Sequence, residues 1–118
     1  MRAKDALGRY GEDVAAGHLE SAGLEILDRN WRCHDGELDI IARDGPVLVV
    51  CEVKTRSGLG FGSPLESVTP RKAARLRRLA ALWLATHEVR TVAVRIDVVG
   101  VLRGGKGPAA VDHVRGVC

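Results

Sequence analysis

An α/β fold with the element order αβββαββ follows from three features of the sequence. Val47-Leu48-Val49-Val50-Cys51 is apolar at every position, the mark of a central strand covered on both faces. Ala73, Leu76, Leu79, Ala80, Trp83 and Leu84 recur at helical spacing and lie between β-rich runs. The only aromatic residues are Tyr10, Trp31, Phe61 and Trp83, which leaves the core to Val, Leu, Ile and Ala and suits strands packed on helices.

In chain order, Leu7, Tyr10, Val14, Leu19 and Ala22 predict a first helix over Lys4 to Ala22. It is stopped by Gly23 and weakened by Gly8, Gly11 and Gly17. Leu24 to Trp31 reads as a strand, Arg32 to Gly36 as a turn, and Leu38 to Arg43 as a second strand. The signal Asp44-Gly45-Pro46 then predicts a hairpin into a third strand, Val47 to Thr55. Ser57 to Thr69, with three glycines and a proline, predicts a loop. Thr69-Pro70 supplies an N-cap and a proline at the first helical position, so a second helix follows along Arg71 to Thr86. Thr91 to Leu102 and Ala109 to Val114 complete the strands, separated by a glycine-rich break at Arg103 to Gly107.

The length of 118 residues and 12.7 kDa predicts one domain spanning 1–118. A formal charge of +3 and a pI near 9.0 permit a polyanionic partner without requiring one. Cys33, Cys51 and Cys118 are odd in number and widely spaced, which argues against a disulfide framework or a cysteine zinc site and for a reducing compartment. No stretch has the apolar run of a signal peptide or membrane span. The expected setting is the cytoplasm, with no membrane partner.

Chemistry is expected where the hairpin brings two charged segments side by side. Gly36-Glu37-Leu38-Asp39 opens the second strand, and Glu52-Val53-Lys54 lies on the third. Residues two apart on a strand share a face, so Glu37 pairs with Asp39 and Glu52 with Lys54. If the faces coincide, three carboxylates and an ammonium converge, an arrangement that needs a neutralising cation. Carboxylate oxygens suit Mg²⁺ or Mn²⁺, which are commonly shared with a substrate phosphate. Phosphodiester hydrolysis is the expected chemistry, with Asp39 and Glu52 on the metal. Lys54 would orient the attacking water or stabilise developing charge.

The run GELDIIARDG followed by a strand and CEVKTR resembles the PD-(D/E)xK phosphodiesterase superfamily and, within it, the bacterial YraN-like family. The likeness extends to Gly11-Glu12, Asn30-Trp31-Arg32, Phe61-Gly62, Lys72 and Arg95-Ile96-Asp97. It implies a restriction-endonuclease-like mixed sheet flanked by helices, similar to archaeal Holliday-junction resolvases, and a homodimer. It also implies Asp39, Glu52 and Lys54 as the catalytic motif, with Glu12 as an extra helix-borne acid. Cys51 stands where such strands usually carry a plain apolar residue.

Other readings stay open beside these. Glu12 is either a surface charge or a site acid, and Glu37 a turn former, an ion-pair partner or a ligand. Arg95 and Asp97 read as a structural pair. Arg71, Lys72, Arg75, Arg77 and Arg78 have no compensating acid nearby in sequence. With Arg56, residues Arg71, Lys72, Arg75 and Arg78 are candidates for phosphate contacts, DNA before RNA. His18, His34, His87 and His113 lack ligand spacing, and Trp31 and Trp83 read as packing residues. The rival to a DNA endonuclease is a nucleic-acid-binding module of the same fold that cleaves nothing.

Overall fold

The computed structural model describes residues 3–57, 68–105 and 107–117. Its elements are α1 (Ala3–Ser21), β1 (Glu25–Cys33), β2 (Gly36–Asp44), β3 (Val47–Ser57), α2 (Pro70–Ala85), β4 (Ala93–Arg103) and β5 (Ala110–Val114). This is the expected αβββαββ order. Most of the loop expected over Ser57 to Thr69, including Phe61 and Gly62, lies outside the described residues, as does Cys118.

The five strands form one mixed sheet in the order β1-β2-β3-β4-β5. β1, β2 and β3 are antiparallel neighbours, β3 and β4 are parallel, and β5 returns antiparallel to β4. A parallel pair needs a crossover, and the segment carrying α2 supplies it. The all-apolar run Val47 to Cys51 therefore sits at the sheet centre with a core on each face. Leu48 and Val50 pack with Leu76, Leu79, Trp83, Ile96 and Val98 on the α2 side. Val49 and Cys51 pack with Ala15, Leu19, Ile40 and Val99 on the α1 side.

Local chemistry sets each helix. Thr69 caps α2, its Oγ1 accepting from Lys72 N at 3.1 Å with Pro70 in the first turn. The α2 stripe Ala73, Leu76, Leu79, Ala80 and Trp83 is buried as expected. α1 tolerates its glycines for different reasons. Gly17 faces open space, whereas Gly11 is buried where the helix lies against Thr55 of β3, and a Cβ there would overlap the Thr55 side chain.

Two departures from the expected strands have structural causes. β1 runs on to Cys33 and β2 begins at Gly36, because the hairpin turn is only His34-Asp35 and Cys33 pairs with Gly36. Gly36, at φ 148°, lies beneath the Arg75 guanidinium, and a Cβ there would come within 2.8 Å of Nη2. Further along β1, Asn30 adopts φ 54°, a left-handed conformation that Asn tolerates better than most residues. Pairing passes over it, from Arg29↔Ile40 to Trp31↔Leu38. Alternation breaks at the same level of β2, so Leu38 joins the α2-side core while Ile40 joins the α1-side core. Asp39 falls between them.

Candidate metal centre and its cationic rim

β2 and β3 pair from Asp44↔Val47 to Ile40↔Cys51 and no further. The next position would set Asp39 opposite Glu52. There the backbone ladder gives way to a side chain, and the Val53 N–H donates to Asp39 Oδ2 at 2.9 Å. Asp39 consequently borders two clefts. One, of about 200 Å³ on the α2 side, is lined by Glu37, Asp39, Glu52, Lys72, Arg75, Leu76 and Leu79. The other, of about 490 Å³ on the α1 side, is lined by Leu7, Gly8, Glu12, Asp39, Val53, Lys54 and Thr55.

Electrostatics single out Asp39. Burial and the neighbouring Glu52 charge raise its pKa to about 7. Glu12 and Glu37 add to the rise, and the Val53 N–H partly opposes it. Glu12 is also raised, first by burial and then by Glu37 and Asp13, against the opposing Arg29 charge and a hydrogen bond from Asn30. Its Oε1 is buried with no hydrogen-bond partner among the described residues. Glu52 is differently placed. Its Oε1 lies 2.9 Å from Lys72 Nζ, with the side chain only 13% exposed.

The expected residues are therefore distributed as follows. Asp39 and Glu52 are electrostatic neighbours in one cleft, and Glu37 joins them while its carboxylate pairs with Arg32 at 3.0 Å. Lys54 lines the other cleft with Asp39 and Glu12. Lys72, grouped by sequence with the outer cationic face, turns inward onto Glu52, so its compensating acid comes from β3. Arg75 lines the same cleft, whereas Arg56, Arg71 and Arg78 are exposed.

Among the described residues, no group of three or more His, Cys, Asp or Glu side chains is gathered closely enough to hold a metal ion. The Asp39 and Glu52 pair nevertheless fits Mg²⁺ or Mn²⁺, which need only one or two protein carboxylates and complete their shells with water and phosphate. Asp39, raised first by burial and then by the Glu52 charge, and the Glu12 oxygen that lacks a hydrogen-bond partner are the two acids here without an ion-pair partner of their own among the described residues.

A second polar cluster is structural. Asp97 is fully buried and accepts from Arg95 Nε and Nη2 at 2.9 and 3.1 Å, from Gly116 N at 3.0 Å and from His113 Nε2 at 2.8 Å. The Arg95 and Asp97 pair is thus the one expected. His113 Nδ1 also meets His18 Nε2 at 3.1 Å, a contact that sequence spacing did not signal. Trp83 is buried and donates through Nε1 to Asp28 at 2.9 Å, and Trp31 packs against the same core. No helix among the described residues is long and apolar enough to cross a membrane.

Fold and site define an α/β protein of restriction-endonuclease-like architecture, with a carboxylate cleft where two central strands part. The chain belongs to the family described as Uncharacterised protein family UPF0102, whose model matches residues 11–101. It is 63% identical over 116 residues to a UPF0102 protein of Frankia casuarinae, covering 98% of each chain. It is 64% identical over 117 residues to a UPF0102 protein of Beutenbergia cavernae, covering 99% of each. A UPF0102 protein of Acidothermus cellulolyticus is 57% identical over 124 residues, covering 97% of this chain and 94% of its own.

Proposed function

We propose that the chain is a divalent-metal-dependent endonuclease that hydrolyses phosphodiester bonds of DNA in the cytoplasm. The observation that carries this reading is the Asp39 carboxylate, held by the Val53 N–H beside Glu52 where β2 leaves β3. Asp39 and Glu52 bind the metal through hard oxygen donors. Bound Mg²⁺ or Mn²⁺ supplies charge neutralisation at a phosphate oxygen and a lowered pKa for a coordinated water. The Val53 hydrogen bond fixes the direction of the Asp39 oxygens. Lys54, across the seam, orients the attacking water or stabilises the charge developing on the phosphate. Glu12 adds a further acid on the same side.

Arg56, Arg71, Arg75 and Arg78 lie at the cleft mouth or on exposed surface, where they contact the phosphate backbone. Resemblance to archaeal Holliday-junction resolvases makes branched DNA the first substrate to try and a homodimer the first assembly to look for, on fold analogy alone. One observation favours a second reading. Lys72 already neutralises Glu52, as a permanent ion pair would in a nucleic-acid-binding module that keeps the fold without cleaving.

The test is cleavage of labelled duplex, single-stranded and four-way-junction DNA by pure protein with Mg²⁺ or Mn²⁺, beside an EDTA control. Metal-dependent cleavage supports the nuclease. Binding that falls steeply with salt, without cleavage, supports the module.

A further inference from the structure

The ion pair between Lys72 and Glu52 joins the first turn of α2 to the central strand. Nζ and Oε1 are 2.9 Å apart, and the two side chains are 33% and 13% exposed respectively. Among the described residues Lys72 is the only ion-pair partner of Glu52, in a cleft whose other carboxylates are Asp39 and Glu37. The lysine backbone is pinned, because its N–H donates to Thr69 Oγ1. Its ammonium is held through the ion pair with Glu52, on a flexible four-carbon stem a third of which reaches solvent.

We propose that Lys72 is a resident counter-cation: it holds Glu52 in the metal-free protein and gives way when a divalent cation enters the cleft. This rests on the reading of Glu52 as a metal ligand. A divalent cation held by the Glu52 carboxylate would compete for the oxygen that Lys72 now holds and would repel the ammonium beside it. The displaced ammonium then moves to the cleft mouth by Arg75, where it adds a positive charge facing an incoming phosphate. One side chain thus stabilises the empty site and, once released, contributes to the cationic rim.

The experiment is Mn²⁺ binding by the full chain, read by calorimetry, for wild type, Lys72→Met and Glu52→Gln, with melting temperatures measured in EDTA. Lys72→Met keeps the apolar stem and removes the charge. It should bind Mn²⁺ roughly tenfold more tightly, the scale of one charge-assisted hydrogen bond lost as a competitor. It should also melt lower in EDTA, with Mn²⁺ reversing the loss. In the wild type, Mg²⁺ should shift the Lys72 ε-methylene resonance, a readout that does not depend on the variant folding. If wild type binds Mn²⁺ through Glu52 but Lys72→Met binds no tighter, or the Lys72 resonance stays fixed, the counter-cation is overturned and the nuclease reading stands. If no form binds Mn²⁺, both fall.

Discussion

The Val53 N–H donates to the Asp39 carboxylate at 2.9 Å at the point where β2 and β3 stop pairing. A side chain has replaced a carbonyl as acceptor, so the strands part without leaving a buried donor unpaired. The same bond immobilises an acid whose burial and neighbours resist ionisation. Fold and site meet in this one contact.

Asp39 makes metal-free stability depend on pH in a definite direction. Its folded pKa, about 7, lies above the unfolded value of 3.8. The native state therefore holds the extra proton, and the contribution is full below 3.8 and lost as pH rises through about 7. Asp39→Asn stays neutral throughout. Urea denaturation in EDTA should find Asp39→Asn gaining on wild type between pH 5 and pH 9, by on the order of 3 kcal/mol. A pH-independent difference would contradict the assignment.

Gly11 positions α1 and, one residue on, Glu12. Gly11→Ala would drive a methyl into Thr55 and should cost about 1–3 kcal/mol by overpacking. Gly17→Ala, on an open face of the same helix, should instead stabilise by about 0.5–1 kcal/mol. Thermal unfolding of the two variants side by side separates helix propensity from docking, since propensity alone would stabilise both.

Asp97 ties β4 to the segment after β5, in register with Cys51 of the central strand. Burial would raise its pKa, but hydrogen bonds from Arg95, Gly116 and His113 outweigh burial and hold it below the usual carboxylate range. Its contribution is therefore present above the unfolded value and lost as pH falls through the folded one. Asp97→Asn keeps an acceptor oxygen but removes the charge, leaving Arg95 with Asp44 as its carboxylate partner at 2.9 Å, and should cost about 2–3 kcal/mol at pH 7. The gap from wild type should narrow on acidification, as measured by urea midpoints.

The sequence carried the element order because its punctuation is strong: Thr69-Pro70 before α2, Asp44-Gly45-Pro46 in the hairpin, and an apolar run too long for a half-exposed strand. It also set the segments carrying Asp39 and Glu52 side by side, which follows from that hairpin, but not the face each side chain takes, since Lys54 lines a different cleft from Glu52. Other features needed tertiary structure. The left-handed Asn30 interrupts alternation inside a strand, and a strict two-residue period cannot register it. Lys72 could not be separated from its cationic neighbours, because its partner depends on how α2 sits over β3. His18 and His113 are 95 residues apart, and only the packing of α1 near β5 brings them together.

The nuclease site is tested most directly by cleavage of labelled four-way-junction and duplex DNA in Mg²⁺ by wild type, Asp39→Asn and Glu52→Gln, with circular dichroism of each. Wild type should cleave only with the metal present, and both variants should lose cleavage with the fold intact. Undiminished cleavage by both variants would contradict that site assignment.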